Sequence, residues 1–182
     1  MLEALTNVSA SDLVRLIVGK QASPVEVARA HLERIEQLNP ALNAIVTIAP
    51  DVLDRARQAE ASLMQGETLG PLHGLPITIK DTIETADLLS TSGSLARAQF
   101  VPRLDAPSVA RLRAGGAIIL GKTNVAEMAM DYTADNPVFG RTNNPHDASR
   151  TPGGSSGGEA AAIATCMSAG GLGSDLAGSI RI

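Results

Sequence analysis

Thr151-Pro152-Gly153-Gly154-Ser155-Ser156-Gly157-Gly158-Glu159-Ala160-Ala161-Ala162 crowds four glycines around two serines and then passes directly into a helix-forming run. Each glycine removes side-chain bulk and lets backbone N–H groups come close to whatever lies opposite. Taken alone, the segment reads as a surface turn, or as a helix start capped by Ser156. The density of glycine and the immediate Glu-Ala-Ala-Ala argue against a plain linker. A glycine-walled approach to a helix N-terminus suits a place where negative charge develops. The segment predicts a tight turn and then a helix over residues 156–169.

Working outward, helices and strands alternate. Ser9 and Asp12 have capping-box spacing ahead of Leu13, Val14, Leu16 and Ile17. Ser23-Pro24-Val25-Glu26 is a stronger start, with proline at the first helical position and Glu three residues after the cap. Val25, Ala28, Leu32 and Ile35 recur at helical spacing, and Asn39-Pro40 is expected to end that helix. Residues 44–48 read as a strand, 52–64 as a third helix and 65–70 as a polar loop. Residues 75–79 form a short apolar strand and 90–103 are irregular. Asp105-Ala106-Pro107 opens a helix that ends at Gly115-Gly116, followed by a buried strand over 117–120 and a short helix over 124–130. Residues 171–174 lead into a further strand. This alternation predicts an α/β fold, a mixed sheet flanked by helices, in one unit without repeats or linker.

Two further segments carry chemistry. Gly178-Ser179, near the end of Gly173-Ser174-Asp175-Leu176-Ala177-Gly178-Ser179-Ile180-Arg181-Ile182, reads by itself as a turn after a strand. Lys80 closes Gly74-Leu75-Pro76-Ile77-Thr78-Ile79-Lys80-Asp81. A lysine after a strand is ordinarily a solvated charge. One that closes an apolar run is exposed to burial, which disfavours the ammonium and lowers its pKa. A neutral lysine can then accept a proton as a general base.

These three segments, in this order and with Ser179 placed 24 residues beyond Ser155, resemble the amidase signature family, serine hydrolases that use a Ser–Ser–Lys triad. The resemblance spans roughly residues 9–182. It implies the amidase signature fold, with residues 1–70 as a mainly helical N-terminal part and 71–182 as the start of the catalytic α/β core. It assigns the base to Lys80, the bridging serine and a preceding cis bond to Ser155 and Gly154–Ser155, and the nucleophile to Ser179. The oxyanion donors map to the backbone N–H groups of Leu176, Ala177, Gly178 and Ser179, with Ser156 beside them as a substrate-binding residue. Many relatives have glycine where this chain has Ala177; alanine keeps the N–H but restricts the backbone. Asp81, Asp175 and Arg181 are expected to organise loops.

The function so implied is hydrolysis of a small-molecule carboxamide to a carboxylic acid and ammonia or an amine, with no cofactor and no metal, and with a homodimer as the full-length form. One branch of the family works inside a complex that converts glutamate-charged tRNA to its glutaminyl form. That branch usually has Ser after G-G-S-S-G-G and Gln after G-S-I-R, where this chain has Glu159 and Ile182, so a free-standing amidase is favoured over the tRNA-dependent amidotransferase component. Members of the family continue for a few hundred residues past the nucleophile. The chain is therefore expected to be the N-terminal part of an amidase, inactive alone, and an inactive truncated product is the remaining alternative.

Other pattern matches fail on context. Gly116-Ala-Ile-Ile-Leu-Gly121-Lys122-Thr123 fits G-x-x-x-x-G-K-[ST], but its four inner residues are apolar and read as a strand instead of a phosphate cradle. Gly154-Ser155-Ser156-Gly157-Gly158 fits the G-x-S-x-G elbow, yet no strand precedes it, and His31, His73 and His146 all lie before it in the chain. These histidines and Cys166 lack metal-ligand spacing. A net charge of -4 without a basic run excludes a nucleic-acid surface. The single cysteine excludes an internal disulfide, the start Met-Leu-Glu-Ala-Leu-Thr does not read as a signal peptide, and the longest apolar stretch, 160–167, is too short to cross a bilayer. A cytoplasmic location without a membrane partner is the expectation. With aromatics at 2%, the core must be aliphatic.

Overall fold

The computed structural model describes residues 2–67 and 69–182. Its N-terminal part is helical for local reasons: α1 (Leu2–Thr6), α2 (Ala10–Val18) and α3 (Pro24–Leu42) follow one another. The Ser9 hydroxyl accepts the Asp12 amide at the start of α2. The capping box of α3 is complete, with Glu26 N–H on Ser23 Oγ at 3.1 Å and Ser23 N–H on Glu26 Oε2 at 2.8 Å. The expected stop at Asn39-Pro40 is corrected, because α3 runs on to Leu42. Pro40 removes one N–H from the last turn, but Asn43, in the left-handed conformation, closes that turn with its N–H on Asn39 O at 2.7 Å. The Asn39 side chain then accepts the amides of Ala44 and Ile45 and leads the chain into a strand.

That strand is β1 (Ile45–Ile48), and α4 (Val52–Gln65), β2 (Pro76–Lys80), α5 (Pro107–Ala114), β3 (Ile118–Thr123), α6 (Gly157–Ala164) and β4 (Gly171–Leu172) complete the order. The loop expected over 65–70 includes Thr68, which lies outside the described residues. The sheet order is β1-β3-β2-β4; β1 pairs antiparallel with β3, and β2 pairs parallel with both β3 and β4. The two central strands are buried along their whole length, which is why they read as apolar runs without alternation. β3 continues to Thr123, beyond the expected end at residue 120, so Gly121-Lys122-Thr123 is strand and forms no phosphate loop. Gly121 is required there because a Cβ would lie 2.1 Å from Thr47 O on β1.

Two expected helices are corrected. Over 124–130 only a 3-10 turn forms, Glu127–Ala129, with Met128 and Ala129 at positive φ. A tertiary acceptor takes the middle amide of the turn: Met128 N–H donates to Ser92 O at 2.7 Å. The helix expected over 156–169 ends at Ala164, where Cys166 turns left-handed at φ 58° and Ala169 N–H reaches Pro76 O to begin the β4 edge. The aliphatic core, including Leu13, Ile17, Val27, Val52, Ile79, Leu120 and Met167, lies between the helices and β2–β3. No helix among the described residues is long and apolar enough to cross a membrane.

Candidate active site

Lys80 is the last residue of β2 and is wholly buried, as is Ser155. Its Nζ donates to Ser155 Oγ at 2.7 Å, to Ser174 Oγ at 2.9 Å and to Ser174 O at 3.4 Å. Burial lowers its pKa from the usual 10.5 to about 8, against the opposing pull of the Asp175 carboxylate. Half of such lysines are therefore neutral near pH 8. The glycine block holds Ser155 in place from behind. The Gly154–Ser155 peptide is cis, and a Cβ on Gly154 would lie 2.0 Å from Thr133 O.

Residues 174–182 wrap the other side. Asp175 accepts the amides of Gly178 at 2.8 Å and Ile180 at 3.2 Å and takes both arms of Arg181, at 2.9 and 3.0 Å. These bonds hold its carboxyl far below the usual carboxylate range, with the Arg181 bond the largest cause. Asp175 and Arg181 thus organise the loop as expected. The backbone carbonyl of Ser179 accepts Ser156 N–H at 3.0 Å, which joins the loop over residues 174–182 to the start of α6. Ser179 is half-buried, and its hydroxyl makes no hydrogen bond among the described residues. Of the amides assigned to the oxyanion, that of Gly178 is taken by Asp175. Those of Leu176, Ala177 and Ser179 have no acceptor among the described residues. The Ser156 hydroxyl does not cap α6; it donates to Ser174 O at 3.1 Å.

Three polar residues central to this arrangement went unassigned in the sequence. Ser174 receives both Lys80 and Ser156, and its only signal was a hydroxyl inside the glycine-rich run before Ser179. Glu159, singled out only as a departure from Ser, is buried on α6 and accepts the hydroxyls of Thr78 at 2.5 Å and Thr123 at 2.8 Å. Burial raises its pKa from 4.5 to about 7, against those two hydrogen bonds. Lys122, set aside with the false phosphate motif, is wholly buried at the end of β3. Register places Lys80 and Thr123 side by side, and Lys122 beside Ile79, so the two lysines stand on opposite faces of the sheet.

His31 is buried in α3, His73 bonds Ala59 O at 2.9 Å and His146 is exposed, so the three do not converge. Among the described residues, no three His, Cys, Asp or Glu side chains group as metal ligands would. What Lys80, Ser155 and the amides around Ser179 can do together is move a proton and hold a developing oxyanion.

Known proteins resemble this chain in sequence and fold. The family model for Amidase matches residues 26–182. A glutamyl-tRNA(Gln) amidotransferase subunit of Acidothermus cellulolyticus is 44% identical over 174 residues, covering 95% of this chain and 34% of that protein. Fatty acid amide hydrolase superposes with a TM-score of 0.94 at 30% identity, over 99% of this chain and 32% of the solved one. Peptide amidase from Stenotrophomonas maltophilia does so with a TM-score of 0.84 at 35% identity, over 89% and 35%. The chain spans about a third of the length of the relatives it matches. With the Amidase model matched over residues 26–182 and amidases of known structure superposing on nearly its whole length, the chain belongs to the amidase signature family.

Proposed function

We propose that the chain carries the triad of an enzyme that cleaves carboxamide C–N bonds by acyl transfer to Ser179. The observation that carries this reading is the 2.7 Å bond from Lys80 Nζ to Ser155 Oγ, in buried surroundings that lower the lysine to about 8. Neutral Lys80 takes the Ser155 proton as Ser155 takes that of Ser179, and Ser179 Oγ bonds to the amide carbon. The amides of Leu176, Ala177 and Ser179 receive the oxyanion, while the Gly178 amide and the Ser156 hydroxyl hold the loop that presents them. The relay returns the proton to the leaving nitrogen, the C–N bond breaks, and water releases the acid from Ser179. No Ser155–Ser179 hydrogen bond forms among the described residues, and the relay requires that the two hydroxyls come within hydrogen-bond reach during the reaction.

Labelling with a serine-directed fluorophosphonate tests this. The label should fall on Ser179, vanish in Ser179→Ala and form faster as pH rises, levelling off above about 8 as Lys80 becomes neutral. Labelling of Ser156 instead, or a rate flat in pH, would refute the assignment. A second reading, a component of a tRNA-dependent amidotransferase, is favoured by the curated relatives at 44% identity. It uses the same triad, and specific capture of partner proteins with glutamine-dependent ammonia release would distinguish it.

A further inference from the structure

Behind Lys80, on the far face of the sheet, a second set of buried polar groups closes around Lys122. Its Nζ donates to Ile83 O at 2.7 Å and to Ser90 Oγ at 2.8 Å, and lies 4.0 Å from Asp81 Oδ1. Thr91 Oγ1 donates to Asp81 Oδ2 at 2.6 Å, while Asp81 Oδ1 has no hydrogen-bond partner among the described residues. Both charged side chains are fully buried. A buried pair 4.0 Å apart without a direct hydrogen bond is poor stabilisation, because desolvating two ions costs more than so loose a contact returns. Burial correspondingly depresses the Lys122 pKa to about 8, despite Asp81 and Glu84. Stability alone does not account for the arrangement.

Its connections do. β2 ends at Lys80, and its pairing with β4 stops at Ile79, so the carbonyl of Lys80 lies beyond it. Lys80 O is held instead by Ile83 N–H at 2.9 Å, and Ile83 O is held by Lys122. Asp81, next in the chain, continues the ladder with its N–H on Thr123 O at 3.0 Å. Through Thr91 the same carboxylate fixes the turn carrying Ser92, whose carbonyl accepts Met128 N–H in the segment leading to Thr133 behind Gly154. The Lys80 side chain has four rotatable bonds, so a 2.7 Å contact with Ser155 demands an immobile root.

We infer that Lys122 and Asp81 are positioning residues of the triad: they lock the turn over residues 80–83 from behind the sheet and thereby aim Lys80 at Ser155. The inference rests on Lys80 being the base of the reaction proposed above. Its first test does not depend on catalysis.

With lysine 13Cε labelling, the Lys80 signal is followed by NMR through a pH titration in the wild-type chain and in Lys122→Met. Once the turn loosens and Lys80 hydrates, its midpoint should rise from about 8 by at least one pH unit towards its ordinary value. Thermal unfolding at pH 7 should fall, because Lys122→Met leaves the Asp81 carboxylate buried without its partner and the Ile83 carbonyl without its donor. Fluorophosphonate labelling of Ser179 should slow about tenfold or more in Lys122→Met, and Lys122→Met should add no further loss in a Lys80→Met background. Thr91→Val, which removes a hydroxyl from Asp81 without emptying the site, should move the midpoint in the same direction by less and covers the case in which Lys122→Met does not fold. An unmoved Lys80 midpoint in the folded variants, or an equal loss of labelling with and without Lys80, overturns the inference and leaves the pair merely structural. Absence of labelling in the wild type would instead refute the proposed function while the titration still decides the positioning role.

Discussion

Replacing Glu159 by glutamine isolates the energetic consequence of burying a carboxyl between β2 and β3. The side chain is 5% exposed, and its pKa rises from 4.5 in an unfolded chain to about 7 in the fold. The folded form therefore binds the proton more tightly: the contribution is fully present below pH 4.5 and is lost as pH rises through 7. At about 1.4 kcal/mol per pH unit, the displacement amounts to about 3 kcal/mol above neutrality. Glutamine keeps the shape, and its amide and the rotatable Thr78 and Thr123 hydroxyls can pair without a charge. Urea unfolding of both proteins at pH 5 and 8.5 provides the assay, the comparison at equal pH cancelling every other titration. Glu159→Gln should gain about 2–3 kcal/mol on wild type between the two pH values. For a chain of 182 residues that corresponds to roughly 5–10 °C in midpoint. An equal difference at both pH values would show that Glu159 does not enter the fold as a neutral acid.

His31 supplies the opposite slope. Burial lowers it from 6.5 to about 4, and the backbone of Cys166 and Met167 only partly opposes this without reaching hydrogen-bond geometry. Its contribution is fully present above pH 6.5 and is lost as pH falls towards 4, by up to about 3 kcal/mol. Wild-type stability should therefore be nearly flat where the two windows overlap, and an acid limb should emerge in Glu159→Gln and vanish again when His31→Leu is added; a steep wild-type limb in urea titrations would contradict this. Gly158→Ala should cost about 3 kcal/mol or more in urea unfolding, because its Cβ would meet Asn124 N and O at 2.4 and 2.5 Å and Ala44 O at 2.7 Å, all backbone; a loss under 1 kcal/mol would mean that α6 sits less tightly on β1 and β3. Asp175→Asn removes the carboxylate that favours the Lys80 ammonium, so the midpoint of the labelling-rate profile should move below 8, while loss of the Arg181, Gly178 and Ile180 bonds lowers the rate itself; a midpoint that rises would reverse the sign of that coupling.

What was legible in the sequence follows the range of the forces. The Ser23–Glu26 capping box is settled within four residues, so its letters suffice. The glycine block was legible because its packing partners tolerate no Cβ at Gly154 or Gly158. The failures share a cause as well. The run over 124–130 has helical spacing, but Ser92 and Asn136, distant in sequence, take its polar groups and hold it as a single tight turn. Pro40 reads as a stop because what compensates it, the left-handed cap at Asn43 and the Asn39 side chain on the amides of Ala44 and Ile45, is not spelled by helical spacing. Ser174, Glu159 and Lys122 were missed as polar letters because their meaning lies in what faces them across the sheet. Only Lys80 gave a local hint, as a charge at the end of an apolar run.

The pairing order also has a kinetic consequence. Lys80 meets Ser155 across 75 positions of sequence and Ser174 across 94, and β2 cannot acquire β4 until the chain beyond α6 has returned to it. Helices α2 and α3 can form at once from neighbouring residues, whereas the contacts of Lys80 with Ser155 and Ser174 close long loops. Such contacts come late in folding, and during synthesis the N-terminal helices would emerge well before Ser174 and Ser179. A chain halted or cleaved ahead of residue 174 would thus carry Lys80 without Ser174 and without the loop that bears Ser179.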